Sequence, residues 1–497
     1  MLKPQESRNT LTRRCFFDRV SDGICGAALT YLLQNELLGA RLFASDESHG
    51  ELNSARRMFD LTPKRSQFPP TANSVIHLCM QGGPSQVDLF DPKPALKRYH
   101  GSAPPRELTK GAIFENDRTG TLMQSPFKFS RHGECGAPVS ELLPHIGGEV
   151  DSLAIVRSMY NVHPNHEPAI YKMQSGQTFP GHPVFGSWVA YGLGSENQNL
   201  PAYVVLADPS ERLPTNGVEN WFSGYLPPLY QGTPMRTTGS PLLNLKPDYE
   251  EPLAVTEAKR DLIARLDQIH KSKRPSQPVL DARINNYEMA ARMQLEATQT
   301  LDLNGETAET LAMYGIGEKE TDSFGRRCLL ARRMIERGVR FVQLFPKGQA
   351  WDNHSNIRTS LRDICGKTDK PVAGLLRDLR QRGLIDSTLV LWGGEFGRLP
   401  LAQVNSASQY TKAGRDHGPY GFTAWMAGGG VKGGTTYGNT DDIGYASVED
   451  RVSIQDWHAT ILHLLGLRHE ELFFERNGLN DRLTHQFDTR VVKEIVA

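Results

Sequence analysis

Six short runs of nearly continuous apolar residues constrain the fold of this chain more than any other feature. They are "SVIHLCM" (74–80), "LAIVRSM" (153–159), "AYVVLAD" (202–208), "VRFVQLF" (339–345), "STLVLWG" (387–393) and "FTAWMAG" (422–428). Strands with one wet face alternate apolar and polar residues, whereas runs without alternation belong to strands covered on both faces. Helix patterns with legible ends lie between several of them. "DSFGRRCLLARRMIERG" stops at Gly338, directly before a strand. "TDKPVAGLLRDLRQRG" starts at a Thr/Asp cap, carries Pro371 in its first turn and stops at Gly383, and "VSIQDWHATILHLLGL" ends at Gly466. This alternation predicts an α/β fold, a three-layer αβα sandwich around a mostly parallel sheet with right-handed crossovers.

A chain of 497 residues has length for two or three ordinary domains or for one large α/β domain with insertions. Lysine plus arginine equals aspartate plus glutamate, at 56 each, so no basic face argues for a nucleic-acid partner. No apolar run reaches about 18 residues, and no membrane-spanning helix is expected. Six cysteines are scattered without C-x-x-C spacing, which fits neither a zinc ribbon nor a disulfide framework. Residues 1–70 read as a leader and a polar arm. Arg13-Arg14, then Phe16-Phe17 and "ICGAALTYLL", resemble a twin-arginine export signal, although Asp18, Arg19 and Asp22 interrupt the apolar part. A single α/β domain is expected over 71–497. Within it, 209–301 reads as an insertion, rich in Pro and Gly up to about 250 and helical and charged beyond.

Open α/β sheets bind ligands outside the carboxyl ends of their strands. The loop after the first run carries Ser85, Asp88 and Asp91, and the loop after the second carries His163, Asn165 and His166. Asp352 and His354 follow "VRFVQLF". Glu395 and Arg398 follow "STLVLWG", and Arg415, Asp416 and His417 stand just ahead of "FTAWMAG". Five segments distant in sequence thus bring carboxylates, imidazoles and two arginines to one edge. Carboxylate with imidazole and no thiolate suits Zn, Mn, Mg or Ca. Such an ion polarises a phosphoryl or sulfuryl oxygen, and an arginine can hold a tetrahedral anion in bidentate fashion. Each piece has a plainer reading: Asp88 or Asp91 as a helix cap, "NHEP" as a turn, His77 as a core histidine, and His458 and His463 as packing residues.

The segments "HLCMQGGPSQVDLFDPKP", "NHEPA", "WDNH", "STLVLWGGEFGR", "GRDHGPYGFTAWMAGGGVKGG" and "VSIQDWHATILHLLGL" resemble a large, mostly exported bacterial family, domain of unknown function 1501. That family is placed in the alkaline phosphatase and sulfatase superfamily, so the resemblance implies an alkaline phosphatase-like fold. The similarity runs from about residue 12 to the carboxyl end. Gln86 departs from it, since the family commonly has histidine there. Followed in register with sulfatases, Glu395 falls on a metal-binding Asp, Phe396 on a metal-binding His, and His166 on the Cys that becomes formylglycine. No C-x-P-x-R occurs, which excludes formylglycine chemistry.

These readings predict a metal-dependent hydrolase of phosphate or sulfate esters acting on an extracytoplasmic substrate such as a glycan ester. Asp352, His354, Glu395 and His417 would be the ligands of a divalent Zn, Mn, Ca or Mg ion, with Asp416 or Asp88 as further ligands. His166 or Ser85 would be nucleophile or acid/base, Asn165 a supporting group, and Arg398 and Arg415 the anion clamp. The competing reading is an inactive relative that binds a glycan or an exported protein. A metal-free Ser/His/Asp hydrolase fits poorly, because "GGPSQ" lacks the G-x-S-x-G elbow.

Overall fold

The computed structural model describes residues 59–105, 119–208, 213–237, 252–274, 278–403, 411–485 and 487–497. The twin-arginine segment lies outside the described residues. At the centre is β1 (Ser74–Cys79), all six residues of which are buried. Successive strand side chains point to opposite faces, so both faces are covered. The other strands of its sheet are β2 (Leu153–Tyr160), β3 (Tyr203–Leu206), β4 (Thr233–Pro234), β5 (Phe341–Leu344), β6 (Thr388–Gly393), β7 (Phe422–Ala427), β8 (Thr435–Tyr437) and β9 (Val452–Ser453). Their order is β8-β2-β7-β6-β1-β5-β3-β4, with β9 also paired to β2. All six apolar runs are strands of this mostly parallel sheet.

One strand departs from the parallel pattern. β7 runs antiparallel to both β2 and β6. Its amino-terminal end therefore lies where the parallel strands have their carboxyl ends. For that reason the segment ahead of β7 reaches the same edge as the loops that follow β1, β2, β5 and β6.

The helices that frame the sheet are α1 (His166–Ser175), α2 (Phe185–Leu193), α3 (Leu253–Ser272), α4 (Pro278–Leu301), α5 (Asp322–Glu336), α6 (Ile357–Gln381) and α7 (Ile454–Leu464). On the face to which His77 and Cys79 point, Gln174 of α1 donates to Cys79 Sγ at 3.1 Å. Phe185 of α2 meets the His77 ring at 5.2 Å and stacks on His458 of α7 at 5.4 Å. Burial keeps His77 neutral by pushing it down to about 3, and His458 donates to the Met173 carbonyl, so both are core histidines. On the other face α5 and α6 are tied by Arg332, which donates to Asp378 at 2.8 Å and Glu306 at 2.7 Å.

Two local expectations change. α6 does not start at Thr368-Asp369 but at Ile357, and it carries Pro371 inside. A continuous buried stripe through Leu361, Thr368, Val372, Leu375 and Leu379 holds the helix together across the proline. Part of the 209–301 insertion also joins the sheet, because β4 pairs with β3. The rest of its described residues form two short turns of 3₁₀ helix, then α3 and α4.

Trp392 of β6 and Trp425 of β7 are direct cross-strand partners, with rings 5.9 Å apart and only 4° from parallel. Trp425 is fully buried. Trp425→Ala should cost about 3–5 kcal/mol through the cavity it leaves. Urea unfolding would show a lower midpoint at unchanged m.

Candidate metal centre

Three imidazoles from three loops converge on one carboxylate oxygen. His354 Nε2 lies 2.9 Å, His417 Nε2 3.3 Å and His166 Nε2 3.4 Å from Asp352 Oδ1. All four donor atoms are within 4.8 Å of one another. His166 opens α1, Asp352 and His354 follow β5, and His417 sits in a two-residue ladder where Arg398 pairs with it ahead of β7. Gly82 makes the close approach workable. Its φ is +114°, and a Cβ there would meet the Asp352 backbone nitrogen at 2.5 Å.

The other ring nitrogens fix the tautomers, which are assigned from their hydrogen-bond partners. His166 Nδ1 lies 2.5 Å from Glu395 Oε1, His417 Nδ1 2.7 Å from the Pro164 carbonyl and His354 Nδ1 2.6 Å from Gln403 Oε1. Carboxylate and carbonyl oxygens only accept, so each Nδ1 carries the proton and each Nε2 turns a lone pair toward Asp352. His166 Nε2 is buried without a hydrogen bond of acceptable geometry.

A cation between them would relieve a carboxylate that faces three imidazole lone pairs. Burial opposes charge on His166, but Asp352 and Glu395 override it and lift that imidazole to about 9. Burial, resisted by Asp352 and assisted by Arg398 and His166, pushes His417 down to about 3. Burial would raise the Asp352 carboxyl, yet the three imidazoles and Arg398 hold it well below the usual carboxylate range. Burial lowers His354 as well, but Asp352 and Gln403 outweigh burial and Arg398 and leave it raised, so protons on His166 and His354 can relieve two of the three contacts and still leave neutral His417 facing the carboxylate. A single divalent ion relieves all of them, and the donor set fits one.

Several expected site residues sit elsewhere. Glu395 is not among the four: it stands behind His166 and also accepts the Gly82 N–H at 3.0 Å. Asp416 is adjacent, accepting the His417 N–H at 2.9 Å, with Oδ1 3.8 Å from His354 Nδ1. Asp88 is fully buried in a bidentate pair with Arg415, at 2.7 and 3.1 Å, and accepts the Ser85 hydroxyl at 2.6 Å. Ser85, Asp88 and Arg415, expected as nucleophile, ligand and anion clamp, thus bond to one another. Arg398 has no exposed surface and donates to Asp352 Oδ1 at 2.6 Å and to the carbonyls of Gly82, Gly83, Trp351 and Arg415. Loops crowded at one edge leave carbonyls unpaired, and a guanidinium with five N–H groups satisfies them. Asn165 is exposed at the cap of α1.

The sequence reading missed the supporting residues. Gln403 and the Pro164 carbonyl orient two imidazoles, and neither carries a motif. Asn161 donates to the Glu395 and Ala169 carbonyls at 2.7 and 3.1 Å, tying that loop to α1. Gln86, noticed only as a departure, donates to the Arg398 carbonyl at 2.8 Å and accepts the Arg398 N–H at 2.9 Å. Phe396 packs its ring 4.9 Å from His166 and 4.6 Å from His417.

A family model described as a protein of unknown function (DUF1501) matches residues 72–496. The chain belongs to this family. None of the curated proteins matches it in sequence. Among solved structures, this DUF1501 member is similar to Ps i-CgsB at 10% identity, over 80% of this chain and 72% of that one, with a TM-score of 0.35. The lipoteichoic acid synthase LtaP from Listeria monocytogenes is similar at 8% identity, over 82% and 76%, with a TM-score of 0.33. The alkaline phosphatase from the Antarctic bacterium TAB5 is similar at 11% identity, over 80% and 98%, with a TM-score of 0.30. Overlaps this loose decide nothing about function.

Because His166 holds a proton up to about pH 9 in the ion-free site and His354 is raised as well, uptake of a divalent ion near pH 7 should release at least one proton per ion. Calorimetry in buffers of different ionisation heat reads that number, which should fade as the pH passes 9. Glu395→Gln, which weakens the partner of His166, should lower metal affinity by about 10–100-fold in a chelator competition.

Proposed function

We propose that the chain is a metal-dependent hydrolase of phosphate or sulfate esters, with His166, Asp352, His354 and His417 as its ligand set. The observation that supports this is the three Nε2 lone pairs aimed at one carboxylate oxygen, each imidazole fixed from behind by Glu395, Gln403 or the Pro164 carbonyl. Three imidazoles and a single carboxylate favour Zn or Mn over Ca or Mg. A divalent ion bound there supplies Lewis-acid polarisation of a phosphoryl or sulfuryl oxygen.

Asp352, Glu395 and Asp416 together outweigh the charge of Arg398 by two, so a divalent ion neutralises the centre and removes its repulsion of an anionic ester. Asp352 and His354 are partly exposed, at 22% and 31%, and His417 is closed off, so substrate enters on the Asp352 and His354 side. Asn165, exposed and next to His166 in sequence at the start of α1, would be a supporting polar group for it. Export by the twin-arginine-like leader would give the enzyme an extracytoplasmic ester, such as a substituted glycan.

The second reading, an inactive relative that binds without turnover, draws on a specific observation: Ser85, Arg398 and Arg415 are all committed to internal partners.

Protein from Zn- or Mn-supplemented medium should carry about one divalent ion per chain, and Asp352→Asn or His354→Ala should lose it. It should turn over p-nitrophenyl phosphate or p-nitrophenyl sulfate, with turnover lost in chelator and restored by the metal. Asn165→Ala should lower kcat/KM by about tenfold at unchanged metal content. Stoichiometric metal without turnover on either ester favours the inactive relative. A folded protein that takes up no metal overturns both the ligand set and the hydrolase.

A further inference from the structure

α3 is inside out. At 100° per residue, Val255, Leu262, Leu266 and Ile269 fall within an arc of about 60°, an unbroken branched apolar stripe. A helix of a folded domain turns such a stripe to the core. Here all four residues, with Ile263 beside them, are 37–55% exposed. The less exposed positions of α3 are instead Thr256, Ala264, Asp267 and Lys271, on the opposite side.

The acids are sorted away from the stripe, whereas the bases stand on both sides, with Arg260, Lys271 and Arg274 on the far one. Lys259, Arg265, His270 and Lys273 all lie within about 90° of the centre of the stripe, whereas Glu257, Asp261 and Asp267 lie beyond it. From Leu253 to Arg274 there are six Lys and Arg against three Asp and Glu, in a chain whose formal net charge is zero. A second copy of the chain meeting α3 face to face would set these basic flanks against each other. A surface that offers negative charge around an apolar interior matches both features.

We propose that α3 docks on the surface of a bilayer rich in anionic lipids, with Val255, Leu262, Leu266 and Ile269 in the headgroup–acyl boundary and the basic flanks against lipid phosphates. The helix would lie in the plane of the membrane and does not span it. No described helix is long and apolar enough to cross a membrane. The docking rests on α3 alone and is independent of the metal centre.

The test is co-sedimentation of the full chain with vesicles of phosphatidylcholine containing a quarter phosphatidylglycerol, against phosphatidylcholine alone. The expected result is binding to the anionic vesicles, weakened by salt. Both the triple variant Leu262→Ser, Leu266→Ser, Ile269→Ser and the triple variant Lys259→Glu, Arg265→Glu, Lys273→Glu should reduce it about tenfold or more. Circular dichroism and metal content should stay at wild-type levels, because α3 is exposed on nearly every side. No binding of the folded wild type to anionic vesicles, or equal binding by the variants, overturns the proposal. A wild-type dimer in sedimentation velocity that the serine variant dissolves would also overturn it, in favour of a protein partner on that face.

Discussion

The guanidinium of Arg398 joins four loops beside the candidate site, among them those that carry Asp352, His354 and His417. It is wholly buried, its own loop follows β6, and its partners are Gly82 and Gly83 after β1, Trp351 and Asp352 after β5, and Arg415 ahead of β7. A buried charge is tolerable only when its donors are satisfied, and here the acceptors are carbonyls that the crowded loops would otherwise leave unpaired. Arg398 and these loops therefore depend on each other. Removing the guanidinium would strand several buried acceptors at once, a heavier loss than any single hydrogen bond suggests.

The same arrangement explains which parts of the molecule were legible in the sequence. Buried strands must be apolar on both faces, so the six runs marked themselves and gave the sheet. The edge at which chemistry collects then followed from strand direction, a rule of the fold class. β4, β8 and β9 were not legible, being two or three residues long and held by neighbours rather than by pattern. The start of α6 was misread because a Thr/Asp pair beside a proline is a cap signal. The buried stripe that carries the helix through Pro371 extends over more turns than the signal does.

At the site, residue type was legible and residue role was not. Histidines and carboxylates on five loops announced a polar edge, but nothing local distinguishes a metal-facing carboxylate from one turned to a backbone N–H. Asp352 and Glu395 illustrate this. Both lie on loops after apolar strands, yet one faces three imidazoles and the other supports the back of one. Arginine is harder still. An anion clamp and a loop tie use the same five donors, and only burial tells them apart. Arg398 and Arg415 each look like a clamp in sequence and are fully enclosed in the structure.

The centre, finally, is not electrostatically self-sufficient. Pro164, Gln403 and Glu395 hold the imidazoles by their Nδ1 atoms and leave them unable to turn the protonated nitrogen toward Asp352. The loops thereby fix lone pairs against a carboxylate, an arrangement that repels itself unless a positive charge stands between. Protons on His166, retained to about pH 9, and on His354, which is also raised, relieve only their own contacts with Asp352. Arg398 touches the same oxygen from the side of the protein interior. A cation within reach of all three Nε2 atoms would relieve what remains. The backbone that orients the imidazoles and the ion that would reconcile them are therefore coupled: loss of one loosens the other, as folding and metal binding are coupled wherever ligands are held ready.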